Sequence, residues 1–258
     1  MQVCVITGAA RGLGYSFAEA FIESGSTRVA LVDLSPDATE AAATNLSEWA
    51  TEKGIGPVEV VAYPLNVTDE RAVQESMGKI VEKWGKIDCI LTAAGVVHNY
   101  SSFEYPSERM KSLYNVNVHG SFYCARAAAQ HMMALGTGGS IIFISSMSGR
   151  IVNWPQLQMP YNASKAAVRQ MAASLACEWA EHQIRVNAIS PGYIETSMTG
   201  PIVEKYGRGM LDEWIRGTPM KRLGLPEDLK GAAVLLASDA SKFTTGSELV
   251  IDGGYTCL

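Results

Sequence analysis

The sequence predicts a doubly wound α/β domain in which seven mostly parallel strands form one sheet with helices on both faces. Short β-branched apolar runs alternate with longer segments in which apolar residues recur at helical spacing. The run at residues 141–144 is continuously apolar, which is typical of strands buried on both faces of a parallel sheet. No linker, repeat or low-complexity stretch interrupts this alternation, so we expect a single domain over residues 1–258.

The predicted strands lie at residues 3–6, 28–32, 59–63, 87–91, 140–144, 185–189 and 249–251. Helical spacing predicts helices at residues 13–24, 36–51, 70–84, 107–135, 161–182 and 226–237. Ligands of such sheets bind at the carboxyl ends of the strands. The turns that follow the predicted strands are therefore where we expect functional residues.

The composition predicts an ordinary globular protein, with 47% hydrophobic and 18% charged residues. The 26 acidic residues outnumber the 21 Lys and Arg residues, which disfavours a nucleic-acid partner. The apolar runs are far shorter than the roughly 20 residues that cross a bilayer, and no charged-then-apolar leader precedes the first strand. We therefore expect a cytoplasmic protein that does not associate with a membrane.

The cysteines and histidines show no metal-binding or disulfide pattern. The 5 cysteines are odd in number, scattered and without a C-x-x-C pair, so they are interpreted as small buried apolar residues. His98, His119, His131 and His182 are isolated from one another, and only His98 is expected near a pocket. No metal site is predicted.

A glycine-rich turn, TGAARGLG at residues 7–14, lies between the first strand and the first helix. Glycines permit a tight turn and close approach of backbone to a pyrophosphate, whose charge the helix N-terminus stabilises. The spacing G-x-x-x-G-x-G differs from the G-x-G-x-x-G dinucleotide fingerprint, and a turn that merely connects strand to helix is the alternative. The turn predicts a Rossmann-type dinucleotide site at Gly8, Arg11, Gly12, Leu13 and Gly14.

Asp33 ends the second strand, where a carboxylate can bind the adenosine ribose hydroxyls. A 2′-phosphate at this position would meet like charge, and Leu34 supplies no compensating cation. Asp33 therefore favours NAD over NADP. Arg11 is the residue that would reverse this preference if it reached a 2′-phosphate.

Two further turns carry weaker signals for cofactor contacts. Asn66 and Val67 follow the third strand beside the expected adenine, and Ala94 and Gly95 follow the fourth strand with small side chains. The alternative is ordinary loop chemistry, with Asn66 capping the next helix.

Tyr161 and Lys165 lie four residues apart on a predicted helix and so share one face. A phenol has a pKa near 10, and a neighbouring ammonium favours its phenolate, which suits acid–base catalysis at neutral pH. The same ammonium can bind the nicotinamide ribose. Alone, such a pair is more often an amphipathic surface pair, but Ser146 ends the preceding apolar strand, where its hydroxyl can orient a substrate oxygen toward Tyr161.

The glycine turn, Asp33, Ser146 and the Tyr161/Lys165 pair together resemble the short-chain dehydrogenase/reductase family over essentially the whole chain. The resemblance implies that Asn117 is a fourth catalytic residue, which holds a water in a proton relay. It also implies that the PGYIET segment contacts the nicotinamide through Pro191, Gly192, Ile194 and Thr196. The family commonly forms dimers or tetramers through its long helices, so a homotetramer is expected.

Two positions depart from the family pattern. The family's Asn-Asn-Ala-Gly is TAAG at residues 92–95, which removes an amide that stabilises the central strand. The segment between the serine and Tyr161 is slightly longer than usual, so Ser148 lies at the commoner distance and competes with Ser146 for the catalytic role. Ser146 is preferred because it lies at the strand end.

Substrate choice is predicted to lie in two loops, at residues 149–160 and 194–225. Ser148, Asn153, Gln158 and Tyr193 are the candidate substrate contacts, although amides and aromatics are equally common in exposed loops. The residues from Ser146 to Gln158 resemble fungal mannitol, sorbose and D-arabinitol dehydrogenases.

That resemblance implies hydride transfer between a nicotinamide cofactor and a polyol or ketose. The mannitol and sorbose enzymes generally use NADP, so Asp33, which favours NAD, brings the NAD-linked D-arabinitol 2-dehydrogenases and the D-arabinitol/ribulose pair closer. The alternative within enzymes is a reductase of a bulkier cyclic or secondary-metabolite ketone, because the family changes substrates through these loops. The alternative outside enzymes is a catalytically silent NAD(H)-binding sensor, against which the complete Ser-Tyr-Lys-Asn set argues.

Overall fold

Seven parallel strands form one sheet in the computed structural model, which describes residues 2–196, 200, 204 and 207–257. The strand order is β3-β2-β1-β4-β5-β6-β7. The strands are β1 (Val3–Thr7), β2 (Arg28–Asp33), β3 (Glu59–Pro64), β4 (Cys89–Thr92), β5 (Gly139–Ile144), β6 (Ile184–Pro191) and β7 (Glu248–Ile251). The predicted fold class is confirmed, and all described strand pairs are parallel.

The helices cover both faces of this sheet. Their bounds are α1 (Gly12–Glu23), α2 (Pro36–Glu52), α3 (Glu70–Trp84), α4 (Ser107–Tyr114), α5 (Ser121–Leu135), α6 (Met159–Trp179), α7 (Arg208–Gly217) and α8 (Glu227–Ala237). Short 3₁₀ turns follow β5, α6 and α8. No helix in the described parts of the chain is long and apolar enough to span a bilayer.

Alternation along the strands divides the core into two apolar clusters, one on each face of the sheet. In β1, Val3 and Val5 belong to the cluster shared with α3, α5 and α6, whereas Cys4 and Ile6 belong to the cluster shared with α1, α2 and α8. All four side chains are fully buried. Because both faces of β1 are covered, its apolar sequence is continuous rather than alternating.

Local sequence signals account for the ends of several helices. Ser35 caps α2 by accepting from the Ala38 N–H, and Asp69 caps α3 by accepting from the Ala72 N–H at 3.0 Å. Gly85 ends α3 in the left-handed conformation, with φ of 83°. The alternative role of Asn66 as the cap of this helix is therefore wrong, because Asp69 occupies the cap position.

The predicted helix at residues 107–135 is interrupted. A π-helical segment (Asn115–Gly120) separates α4 from α5, and Asn117 lies within it. The wider turn has a tertiary cause, because it brings the Asn117 side chain onto the backbone of Val96.

The second predicted substrate loop also contains regular structure. Helix α7 lies within residues 194–225, and an isolated bridge pairs Ile194 with Gly224. Positions 197–199, 201–203 and 205–206 of that loop lie outside the described residues.

Candidate active site

A cavity of about 770 Å³ opens at the carboxyl ends of the central strands. Strand order reverses where β1 pairs with both β2 and β4, which is where doubly wound sheets bind ligands. Every predicted cofactor and substrate residue lines this cavity. Asn117 alone among the predicted site residues does not line it and is fully buried.

The glycine-rich turn brings backbone very close to the chain that follows β4. A Cβ placed on Gly8 would lie 2.7 Å from the backbone nitrogen of Ala94, and Gly8 has a φ of 66°. A Cβ on Gly14 would clash with the carbonyl oxygen of Gly8. Gly12, the first residue of α1, has a φ of 58° and open space where a Cβ would lie. Left-handed glycines, open space and a helix N-terminus fit the pyrophosphate of a dinucleotide.

Asp33 is fixed in place at the end of β2. Its Oδ2 accepts from the Ala10 N–H at 3.0 Å and its Oδ1 from the Leu34 N–H at 2.7 Å. The Leu34 side chain is 68% exposed and offers no charge. The carboxylate is thus positioned by backbone at the rim of the cavity, which fits the adenosine ribose of a nicotinamide dinucleotide.

Side-chain hydrogen bonds shape the two turns that follow β3 and β4. Asn66 accepts from the Thr68 N–H at 3.1 Å and from the Thr68 hydroxyl at 2.9 Å, which forms a small turn at the cavity edge. Thr7 Oγ1 accepts from the Ala94 N–H at 3.2 Å. Thr7 therefore holds the segment after β4, whereas the buried Thr92 hydroxyl finds no hydrogen-bond partner among the described residues.

Ser146, Tyr161 and Lys165 meet at the centre of the cavity. The Ser146 hydroxyl lies close enough to the Tyr161 phenol to favour its ionised form. Lys165 Nζ donates to the carbonyl oxygen of Ile144 at 2.8 Å and lies 5.7 Å from the centroid of the Tyr161 ring. Ser148 lies further along, and its hydroxyl oxygen accepts from Gln158 Nε2 at 3.4 Å.

Burial shifts both ionisable groups toward their neutral forms. It raises the pKa of Tyr161, and the Ser146 hydroxyl opposes this shift in part. Burial also lowers the pKa of Lys165 to about 8. The lysine can therefore lose its proton near physiological pH.

Asn117 acts as a clamp between three segments. Its Oδ1 accepts from the Val96 N–H at 2.8 Å, and its Nδ2 donates to the Val96 carbonyl at 3.0 Å. The same nitrogen donates to Ser164 Oγ at 3.1 Å, so the clamp reaches α6 next to Lys165. Its backbone carbonyl accepts from Ser121 Oγ at 2.8 Å.

The substrate end of the cavity is lined by neutral polar side chains. Asn153, Gln156 and Gln158 are at most 5% exposed, and Tyr193 joins them. The Tyr193 ring stacks on Trp214 from α7, with centroids 4.3 Å apart and planes at 11°. His98 also lines the cavity, and burial, followed by the charge of Arg109, lowers its pKa.

Sequence reasoning missed Gln156 and Trp214 as parts of this end of the site. The PQxQ pattern at residues 155–158 was the available signal for Gln156. Trp214 had none, because its helix lies in a segment that was interpreted as a loop. No cluster of His, Cys, Asp or Glu that could hold a metal ion occurs within the described part of the chain.

A dinucleotide crevice with Ser, Tyr and Lys at its centre defines an oxidoreductase that transfers hydride with a nicotinamide cofactor. Comparison with known proteins agrees. A family model described as enoyl-(acyl carrier protein) reductase matches residues 8–256. The chain belongs to the short-chain dehydrogenase/reductase family.

Curated relatives match along nearly the whole chain. The ribulose-forming D-arabinitol 2-dehydrogenase of Candida albicans (strain WO-1) is 41% identical over 263 residues, covering 99% of this chain and 93% of that protein. The NADP-dependent mannitol dehydrogenase of Hypocrea jecorina is 38% identical over 257 residues, covering 99% and 92%.

Solved structures share the fold. A short-chain type dehydrogenase/reductase from Mycobacterium marinum superposes with a TM-score of 0.91 at 37% identity, covering 100% of this chain and 96% of that one. An NAD⁺-bound xylitol dehydrogenase superposes with a TM-score of 0.89 at 31% identity, covering 98% of both chains.

Replacing Lys165 by Met should stabilise the protein near neutral pH. Below pH 8 the buried ammonium of Lys165 is protonated at a desolvation cost, which an isosteric apolar side chain avoids. We expect Lys165→Met to raise the free energy of unfolding at pH 7 by about 1 to 3 kcal/mol.

The difference in the free energy of unfolding between Lys165→Met and the wild-type protein should shrink as pH rises from about 8 to about 10.4. In this range the wild-type protein gains stability with pH, because Lys165 is protonated in the unfolded chain and neutral in the folded one. Urea titrations of both proteins across this pH range measure it. The same substitution at the exposed Lys79 is the control and should leave the free energy of unfolding at pH 7 near the wild-type value. A wild-type protein that is more stable than Lys165→Met at pH 7 would contradict the desolvation argument.

Proposed function

We propose that this protein interconverts a polyol and a ketose with NAD(H), with D-arabinitol and ribulose as the best candidate pair. The observation that carries the proposal is the position of Ser146, Tyr161 and Lys165 between the dinucleotide crevice and a neutral, amide-lined pocket. The D-arabinitol 2-dehydrogenases among its relatives support the same substrate class.

The bound nicotinamide supplies the hydride acceptor for alcohol oxidation and the hydride donor for ketone reduction. Tyr161 is the general base that takes the alcohol proton at its phenolic oxygen, and in reduction it returns that proton. Ser146 binds the same substrate oxygen and orients it toward Tyr161, a role that the effect of its hydroxyl on the Tyr161 pKa favours over Ser148, whose hydroxyl accepts from Gln158.

Lys165 supports proton transfer electrostatically. The Lys165 nitrogen lies over the Tyr161 ring. In its protonated form it lowers the pKa of Tyr161, which burial has raised. Lys165 also binds the nicotinamide ribose in this proposal. Asn117 holds α6 against the segment after β4, and in this proposal it also holds the water of the proton relay.

The polarity of the substrate pocket favours an uncharged, hydroxylated substrate. Apart from Lys165, the charged side chains that line the described cavity are Arg11 and Asp33 at its cofactor end. Neutral amides can donate to and accept from hydroxyl groups, whereas among the described residues an anionic sugar acid would find no cation at this end apart from Lys165. A polyol satisfies these amides better than a bulky apolar ketone would.

Asp33 supports NAD as the cofactor. Backbone N–H groups hold its carboxylate at the cavity rim, where a ribose 2′-hydroxyl can donate to it and a 2′-phosphate would be repelled. The relatives include an NADP-dependent enzyme, so the preference rests on this residue.

The wild-type protein should oxidise D-arabinitol with NAD and reduce ribulose with NADH. Steady-state kcat/KM across pentitols, hexitols and bulky cyclic ketones measures this preference. We expect Tyr161→Phe to lower kcat by about 10²- to 10⁴-fold, because the proton acceptor is lost. Tyr63→Phe on β3, outside the cavity, is the matched control. Turnover of cyclic ketones without any polyol turnover would replace the polyol proposal by the bulky-ketone one.

Asp33→Asn should reduce the discrimination between cofactors. The substitution keeps the shape and removes the charge, so we expect kcat/KM with NAD to fall about tenfold and kcat/KM with NADP to rise. The exposed Asp37→Asn removes the same charge four residues along the chain and should leave the ratio unchanged. A wild-type protein that already prefers NADP would contradict the assignment and identify Arg11→Ala as the next variant.

The protein is further proposed to be a cytoplasmic homotetramer. Exposed apolar side chains on the long helices, including Met133 and Leu135 at the end of α5, support association between copies. Light scattering at working concentration is expected to return a multiple of the 27.7 kDa chain. A single-chain mass would remove the oligomer proposal.

A further inference from the structure

Four side chains at the substrate end of the cavity form a closed hydrogen-bonded ring. Gln156 Nε2 donates to Gln158 Oε1 at 3.4 Å, and Gln158 Nε2 donates to Asn153 Oδ1 at 3.1 Å. Asn153 Nδ2 donates to the Tyr193 hydroxyl oxygen at 3.1 Å, and that hydroxyl donates to Gln156 Oε1 at 2.7 Å. Each member gives one hydrogen bond to the next member and takes one from the previous member.

Nothing within the four side chains fixes the direction in which this ring runs. Each amide can exchange its oxygen and nitrogen by rotating half a turn, and a phenol can donate to either neighbour. If every member rotated, the same four contacts would form in the opposite sense. The donors and acceptors offered to a substrate would then be exchanged.

Trp214 breaks this symmetry. An indole N–H can only donate, and Trp214 Nε1 donates to Gln156 Oε1 at 3.1 Å. The reversed ring would place the Gln156 amide nitrogen against this N–H, and two donors would face each other in a buried site. A buried donor without an acceptor is costly, so the direction that avoids this clash is preferred.

A second fixed group lies on the other side of the ring. Asn162 Nδ2 points at the carbonyl oxygen of Ile151 at 3.5 Å, and a carbonyl can only accept. Asn162 Oδ1 therefore faces the ring and accepts from Gln158 Nε2 at 2.9 Å. Both external groups select the same orientation of Gln158.

The direction of the ring determines which hydrogen-bond donors and acceptors remain available to a substrate. Asn153 and Gln156 each use one amide N–H within the ring and keep a second, and both side chains line the cavity. Trp214 is 2% exposed, so it acts on a substrate through residues that line the described cavity, among them Gln156 and the Tyr193 ring that stacks on it.

We propose that Trp214 is a positioning residue whose indole N–H fixes the orientation of Gln156, as Asn162 fixes that of Gln158, and thereby sets the direction of the Asn153–Gln156–Gln158–Tyr193 ring and the hydroxyl pattern that the pocket binds. The proposal deepens the polyol assignment and rests on it. It assigns hydroxyl recognition to the ring, separate from the proton transfer at Tyr161.

The test compares Trp214→Phe with Trp84→Phe. The first variant keeps an aromatic ring against Tyr193 and removes the N–H. Trp84→Phe removes an indole N–H that donates to Glu59 Oε2 at 2.7 Å, outside the cavity. Two ligands are used, D-arabinitol and 2-pentanol, which share a five-carbon chain and a secondary alcohol but differ in the other hydroxyls.

We expect Trp214→Phe to raise the KM of D-arabinitol about tenfold, with kcat changed less than about twofold and the KM of NAD unchanged. The dissociation constant of D-arabinitol from the enzyme–NADH complex, measured by calorimetry, should rise equally, and that of 2-pentanol should not change. Trp84→Phe should leave all these values at the wild-type level.

Gln156→Glu provides a second route to the same ring. A carboxylate still accepts from Trp214 and Tyr193 but has no N–H for Gln158, so the ring opens while the Trp214 contact remains. We expect the same selective loss of D-arabinitol binding, and the double variant with Trp214→Phe should lose less than the product of the two single effects.

Equal changes for D-arabinitol and 2-pentanol, a fall in kcat alone, or multiplicative effects in the double variant would each overturn the ring proposal. These outcomes are distinct from failure of the proposed function. That fails if the wild-type protein neither oxidises nor binds any polyol.

Discussion

The close approach of the chain after β1 to the chain after β4 governs the geometry of the site. Gly8 lies so near Ala94 that a single methyl group would overlap backbone, and the Thr7 hydroxyl holds the Ala94 N–H. This contact exists because β1 pairs directly with β4 where the strand order reverses. The same reversal separates the helices that follow and leaves the crevice into which Asp33, Ser146 and Lys165 converge.

The second constraint is electrostatic. Tyr161 and Lys165 lie on one face of α6 in a site where burial favours the neutral form of each. The Ile144 carbonyl and the Tyr161 ring face the lysine nitrogen, which offsets only part of the desolvation cost. A site of this kind sacrifices conformational stability, and in return the pKa of Lys165 lies at about 8, near the pH at which proton transfer takes place.

Much of the fold and the core of the site follow from local sequence signals. The seven strands are predictable because strands buried in a parallel sheet are continuous apolar runs. The glycine turn and the Tyr161/Lys165 spacing are predictable because each is a local pattern that determines its own backbone geometry. The break in the helix at residues 107–135 was not predictable, because its cause is the distant Val96 backbone that Asn117 binds. Helical propensity at that position gives no hint of the contact.

Contacts between residues distant in sequence also limit what could be predicted at the substrate end of the site. Asn153 and Gln158 can be predicted from their type and loop, but Tyr193 and Trp214, which bind the same ring, come from elements distant in sequence. Trp214 lies 58 residues from Gln156, and nothing in the spacing between them signals contact. Asparagine and aspartate suit a helix cap equally, so the sequence alone does not decide between Asn66 and Asp69; in the structure Asp69 caps α3.

The placement of the amide ring has an evolutionary consequence. Its members come from the loop before α6 and from the segment after β6, whereas proton transfer uses the end of β5 and the first turns of α6. Substitutions in the loop before α6 can therefore alter which alcohol is bound, while the residues of proton transfer keep their geometry. Such modularity lets one scaffold diversify its substrates through a few neutral side chains, without reinventing its chemistry.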